Sequence, residues 1–385
     1  MQNQSQHHNE QLIQAYLQHP DYHSFGLTWR GTPQGMSVDQ LQFLAVNRAS
    51  YEISAFLDKR IYAPNKQLVN VPFDTLKSAW LQQRQQQAQP ALGGQATSEQ
   101  PQPYGTLHYL FHTAFCCSTW LSRLLQAPGH SLALREPWLL RCLADVRRSG
   151  HIGKGINYQH WNELLDCALD LLAKRYHPQE RVVIKPSNLC NVLIPELMTQ
   201  RTDSKAVFLS NSLEDFLISV LKKNPETRAK MVGLAQVLHN NPLVPSDSLH
   251  HVQSLRGALA FADFTDVQAA AVMWHVQQEQ MHAAKARWPE RFLLLKADAL
   301  LQQPQAVCEQ VNAFLGLDLP AAYFNGQRFK VNLQHHAKAP HLDYDPNARA
   351  EENQLIERRH HDVLQKTISW YTENFSDAQM SESAA

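Results

Sequence analysis

From residue 104 onward one pattern repeats: a short apolar run, then a longer stretch whose apolar residues fall at helical spacing. The runs lie at 106 to 112, 132 to 135, 181 to 185, 205 to 210 and 291 to 296. Parallel strands need long crossovers, and crossover helices cover both sheet faces. The alternation therefore predicts an α/β fold, a parallel β-sheet flanked by helices. Ligands in such sheets lie at the carboxyl ends of the strands. That directs attention to 112–119, 136, 185–188 and 211–219. No internal repeat is visible.

Residues 82 to 103 read QQRQQQAQPALGGQATSEQPQP, with almost nothing to bury. Upstream, Leu41, Phe43, Leu44 and Tyr51, then Leu76, Trp80 and Leu81, fall at helical spacing between Pro and Gly stops. The expected organisation is a small, mainly helical N-terminal unit over 1–82 and a flexible linker over 83–103. An α/β domain follows over 104–375, and then a disordered tail over 376–385. The N-terminal unit carries no chemical motif, so docking is its default role.

Thirty-five basic residues balance thirty-five acidic ones. No net charge drives binding to nucleic acid or an acidic membrane, so any anion site is local. The polar start and the lack of a long apolar run predict a cytoplasmic protein without a membrane span. Six cysteines without a CxxC pair suit reduced thiols. Histidines occur as doublets at 250–251, 335–336 and 360–361 without metal-ligand spacing, so no metal is expected. Asp343, Asp345 and Asn347 mimic the start of a calcium loop. Ala348 stands where Gly is needed and Gln354 where the bidentate Glu is needed, so a polar turn before the last helix is the reading.

GTLHYLFHTAFCCSTWLSRLL reads as strand, tight turn and helix, with Ser118 and Thr119 in the first helical turn. Unpaired backbone N–H groups there suit a phosphate or sulfate, although the Walker pattern is absent and an ordinary βα turn reads the same way. Adjacent cysteines Cys116 and Cys117 fit packing in a tight turn.

Four segments in order resemble the sulfotransferase family, which uses 3′-phosphoadenosine-5′-phosphosulfate and has a P-loop nucleoside triphosphate hydrolase-like fold. Ala114, Phe115, Cys116, Cys117, Ser118, Thr119 and Trp120 stand in register with PKSGTTW, the 5′-phosphosulfate loop. RVVIKPSNLCNVLIPELM resembles the IIKTHLP strand and its helix, with Lys185 on the lysine. KAVFLSNSLEDFLISVLKK resembles the strand, loop and helix that bind the donor's 3′-phosphate. Ser219 matches its serine, and Asn211 stands in place of its Arg. RFLLLKADALLQQPQAVCEQVNAFLGLDL resembles the late segment written YEDL, DP and FLGL. The likeness covers about 105 to 320. A weaker tail, HAKAPHLDYDPNARAEE to Trp370, is similar to divergent bacterial members.

The resemblance implies donor contacts from Ala114 to Thr119, Asn211 and Ser219, with added positive charge from Lys222, Lys223, Arg228 or Lys338, and no metal. Phe115 replaces a Lys or Arg, and Ser187 replaces the His that serves as base. Protein-tyrosine sulfotransferases and some bacterial relatives take their base from a downstream Glu, and SLALREPWLL places Glu136 there. The implied roles are Glu136 as base and Lys185 on the oxygen that leaves with the nucleotide, with His112 assisting either. Each has a plainer reading: Glu136 paired with Arg135 or capping a helix, Lys185 in solvent at a strand end, Ser219 an ordinary helix serine. The acceptor is an unspecified hydroxyl or amine, selected by the insert at about 224–264 and the loops over the sheet. The alternatives are a catalytically degenerate nucleotide- or partner-binding member of the fold and, disfavoured by the missing Walker lysine, a P-loop kinase.

Overall fold

The computed structural model describes residues 2–32, 35–88, 104–239 and 264–375. The expected linker beyond residue 88, most of the insert and the tail 376–385 lie outside the described residues. The N-terminal unit runs α1 (Gln2–Gln18), β1 (Tyr22–Thr32), β2 (Gly35–Ala45), α2 (Arg48–Ile53), β3 (Leu68–Pro72) and α3 (Phe73–Ala88). β1, β2 and β3 form an antiparallel sheet. This sheet corrects the helical reading of Leu41, Phe43 and Leu44, which lie in β2, while helices α1, α2 and α3 make up the rest of the unit's regular structure. Thr28 pairs with Gln40 and Trp29 with Val38, so Asp39 is an extra residue in β2. That bulge puts buried Val38 and Leu41 three apart, which mimics a helical period. α3 also continues through the first residues of the expected linker, to Ala88.

The unit shares one apolar core with the rest of the chain, so Leu41, Phe43 and Trp80 pack in the same cluster as Tyr109, Leu164 and Val182. Polar ties reinforce it. Trp80 Nε1 donates to Asp170 Oδ2 at 2.8 Å, and buried Lys174 Nζ donates to the carbonyls of Tyr16, at 2.8 Å, and Tyr22. At Gly35 (φ 128°) an added Cβ would lie 2.1 Å from the Gly155 oxygen. The β1–β2 turn thus presses directly on the main domain.

The expected runs form β4 (Leu107–His112), β5 (Ser131–Arg135), β6 (Arg181–Lys185), β7 (Ala206–Ser210) and β8 (Phe292–Lys296), all parallel, in the order β5-β6-β4-β7-β8. Every residue of β4, β5 and β7 is buried, as expected of strands covered on both faces. Helices α4 (Ser118–Leu124), α5 (Trp138–Arg148), α6 (Tyr158–Leu172), α7 (Ile194–Gln200), α8 (Leu213–Leu221), α9 (Pro225–His239) and α10 (Asp266–Arg287) connect them. From β4 the chain moves to one side of the sheet, and from β7 to the other. The neighbours β4 and β7 therefore flank a topological switch point.

The polar turn is expected to lead into one last helix. Two form instead, Pro346–Arg359 and His361–Phe375, broken at His360. The first buries no residue, and Asp345 caps it, accepting from the amides of Asn347 and Ala348. The second buries Leu364, Thr367, Tyr371 and Phe375. Among the described residues no helix is long and apolar enough to cross a membrane.

Candidate functional site

At the carboxyl ends of β4, β5 and β6 lies a cavity of about 300 Å³. It collects His112, Ala114, Phe115, Cys117, Ser118, Thr119, Glu136, Lys185, Ser219 and Lys338, nearly all the residues singled out from the sequence. Five cations line it, Lys185, Lys222, Lys223, Lys338 and Arg349, against one carboxylate, Glu136.

The turn after β4 contains no glycine, yet Ala114, Phe115 and Cys117 have φ of 74°, 56° and 63°. Each left-handed residue costs roughly 1–2 kcal/mol, so the surroundings have to fix the loop. They do. The Ala114 amide donates to His112 Nδ1 at 3.0 Å, Thr113 Oγ1 to Asn211 Oδ1 at 2.8 Å, and Asn191 Nδ2 to the His112 carbonyl at 3.1 Å. Beneath the loop the Cys116 thiol donates to the Leu209 carbonyl, and burial pushes its pKa up to about 11. In the first turn of α4 the Trp120 amide donates to the Cys117 carbonyl at 2.9 Å, whereas the Ser118 and Thr119 amides come before any intrahelical acceptor. With seven residues α4 carries a small dipole, so charge in the cavity comes mainly from side chains.

His112 has no ring nitrogen to spare. Since Nδ1 accepts the Ala114 amide, Nε2 carries the proton and donates to the Pro186 carbonyl at 3.0 Å. Burial, then the nearby Lys185, holds its pKa well below the ordinary histidine value. A neutral imidazole so engaged positions the turn; it is not placed to shuttle protons.

Lys185, 1% exposed, donates from Nζ to Glu136 Oε1 at 2.5 Å. Its alternative place in solvent is therefore not adopted. Glu136 is itself left-handed (φ 52°), and its amide donates to the Lys185 carbonyl at 2.6 Å. Arg135 points away, into the carbonyls of Tyr51 and Ser54 and the side chain of Gln126. Helix α5 takes Pro137 as its N-cap without a side-chain bond. Neither plainer reading of Glu136 holds, and its partner is Lys185.

Two of the expected donor contacts, Cys116 and Asn211, stay outside the cavity. Cys116 is buried under the loop. Asn211, also buried, bonds Thr113, accepts the Trp274 indole N–H on its carbonyl at 3.1 Å, and lines a neighbouring cavity. Of the candidate cations, Arg228 is committed to Asp266 at 2.8 Å. Lys222 lines the cavity while reaching Glu352, and Lys223 lies 5.4 Å from the Phe115 ring centroid. Burial and then Lys185 push the pKa of Lys338 down.

Sequence reasoning passed over Arg349 and Tyr344, which also line the cavity. Arg349 Nη1 meets Cys117 Sγ at 3.2 Å and Tyr344 Oη at 3.4 Å, and Tyr344 packs on Trp120. Burial raises the Cys117 pKa, and Arg349 opposes that shift. Their one signal was the family-like tail that contains both. Among the described residues no group of three His, Cys, Asp or Glu side chains is placed to hold a metal ion.

The fold and site define a parallel-sheet α/β protein with a cavity lined by five cations at the carboxyl ends of its strands. No protein-family model and no curated protein matches the sequence. Two sulfotransferases are among the solved structures that resemble the chain. One is the sulfotransferase domain from the curacin biosynthetic pathway, at 15% identity and TM-score 0.33, covering 66% of this chain and 97% of that one. The other is a sulfotransferase from Alicyclobacillus acidocaldarius, at 12% identity and TM-score 0.30, covering 70% and 94%. Both likenesses are divergent.

Proposed function

We propose that this chain transfers a sulfonate group from 3′-phosphoadenosine-5′-phosphosulfate to a hydroxyl or amine acceptor in the cavity at the ends of β4, β5 and β6. The observation that carries this reading is the lining: five cations converge around one carboxylate in a chain with no net charge. Such a wall suits a small ligand bearing phosphate and sulfate groups. The donor would lie against Ala114 to Thr119 and Ser219. Lys223 and Arg349 would supply the charge that Phe115 and Asn211 do not.

In this chemistry the sulfur–oxygen bond to the nucleotide phosphate breaks as the acceptor's oxygen or nitrogen bonds to sulfur, and charge grows on the leaving phosphate oxygen. Lys185, buried and already fixed, is the cation for that oxygen. Glu136 is the base that takes the acceptor's proton. His112 holds the turn to β6, a positioning role narrower than assistance in proton transfer.

A second reading keeps the ligand and drops the chemistry. The Phe115 ring, 5.5 Å from that of Phe216, leaves the loop without a cation of its own, which suits a nucleotide-binding protein with no turnover.

Calorimetric titration with 3′-phosphoadenosine-5′-phosphate, with ATP and AMP as competitors, tests the donor site on wild type and Ser118→Ala. Micromolar binding that ATP does not match and the substitution weakens supports it; no binding removes it. Turnover against an acceptor panel, with Glu136→Ala as control, then separates enzyme from binder. Magnesium-dependent ATP turnover would favour a kinase instead.

A further inference from the structure

Residues 54 to 60 leave the N-terminal unit and run directly behind Glu136. Their start is clamped, because buried Arg123 and Arg135 donate to the carbonyls of Glu52, Ile53 and Ser54 at the end of α2. The Leu57 amide then donates to the Arg135 carbonyl at 2.6 Å, and the Leu57 carbonyl accepts from Trp138 at 3.1 Å. Leu57 thus brackets Glu136 from both sides. With the bond to Lys185, these contacts hold the left-handed backbone in place.

Three residues on, the Arg60 guanidinium lies over the Phe56 ring at 3.7 Å and forks onto Asp58, at 2.9 Å from Nε and 2.5 Å from Nη2. Its Nη2 also reaches Glu136 Oε2 at 3.7 Å. The Phe56 ring has Lys185 Nζ at 5.9 Å and Lys338 Nζ at 5.8 Å as well. One ring from the N-terminal unit therefore stands among Arg60 and two cations of the site, Lys185 and Lys338.

We propose that the segment 54–60 is a working part of the site, with Arg60 a positioning residue for Glu136 that leaves Lys185 available to a bound anion. This rests on the roles given above to Glu136 and Lys185. The two oxygens of Glu136 face different cations, Oε1 Lys185 and Oε2 Arg60. An arriving anion competes with Oε1 for Lys185. A carboxylate with no other partner pulls the lysine back. A second cation on Oε2 weakens that pull and keeps the carboxylate aimed. Arg60 is 58% exposed, so solvent screening limits the effect to a modest factor.

The test is a double-mutant cycle on the full chain: wild type, Arg60→Ala, Glu136→Gln and the double variant. Arg60→Ala is expected to weaken binding of 3′-phosphoadenosine-5′-phosphate about fivefold where Glu136 is present and less than about twofold in the Glu136→Gln background. Equal weakening in both backgrounds, or none in either, overturns the proposal. The same four proteins, ligand-free, are also compared by competitive acetylation of Lys185 with acetic anhydride, read by mass spectrometry. Arg60→Ala should slow labelling only where Glu136 is present, and equal rates across the Arg60 pair overturn the proposal. Should the wild type bind no nucleotide, the donor reading falls and the acetylation cycle alone decides the role of Arg60.

Discussion

Glu136 and Lys185 are joined twice. Their side chains meet at 2.5 Å, and the Glu136 amide donates to the Lys185 carbonyl at 2.6 Å, so the carboxylate and the ammonium sit on adjoining strand ends held in register. Each is the other's nearest opposite charge, and the lysine is the more buried of the two.

That asymmetry sets the response to mutation. Glu136→Gln strands a buried ammonium and should destabilise by about 2 kcal/mol, whereas Lys185→Met leaves a carboxylate that keeps some access to water and should cost less. Urea unfolding of the two variants checks it; the reverse order would show that the pair does not hold the strand ends together.

The left-handed turn makes a second prediction. Ala114→Val puts a β-branched residue at φ 74° and should destabilise by about 2 kcal/mol, while Ala114→Gly should be close to neutral. Equal melting temperatures for the two substitutions would mean that the loop relaxes rather than storing strain.

Three buried histidines link stability to pH. Burial lowers the pKa of His23 to about 3 and of His108 to about 4, and holds His112 well below its ordinary value. In the unfolded chain each titrates near 6.5, so unfolding takes up protons below that pH. Stability is fully present above about pH 6.5 and is lost as pH falls toward about 4, by up to about 1.4 kcal/mol per pH unit for each histidine. Unfolding free energies at about pH 7, 6 and 5 should decline in steps. A flat profile would place these rings in water.

Arg349→Met should weaken nucleotide binding and reduce its dependence on salt, because one of the five lining cations is lost. Arg228→Met should leave affinity unchanged, since Arg228 is paired with Asp266 away from the cavity. Calorimetry at two salt concentrations distinguishes them. Equal effects would move the anion site elsewhere.

The five-stranded sheet was legible because its strands are buried on both faces and therefore read as unbroken apolar runs. Glu136 and Lys185 were legible for a related reason: each sits where a strand ends, at the edge where loops gather ligands. The N-terminal sheet was not, because the extra Asp39 in β2 broke the two-residue alternation that marks a strand. Arg349 was not, because its contact with Cys117 spans more than two hundred residues, and no local spacing encodes such a meeting. Asn211 fell in the right turn, but its side-chain oxygen accepts from Thr113 and the residue lines a neighbouring cavity. The neutrality of His112 needed both of its backbone partners in view.

The buried bond from Lys174 to the carbonyl of Tyr16 bears on how the chain is made. Lys174 follows Tyr16 by 158 residues, and Asp170 follows Trp80 by 90. At ordinary synthesis rates of about 5–20 residues per second, the completed three strands wait roughly 5 to 20 seconds for the surface that covers them. During that interval the edges of β1 and β3 and the apolar residues that later share a core with α6 stand open to other chains.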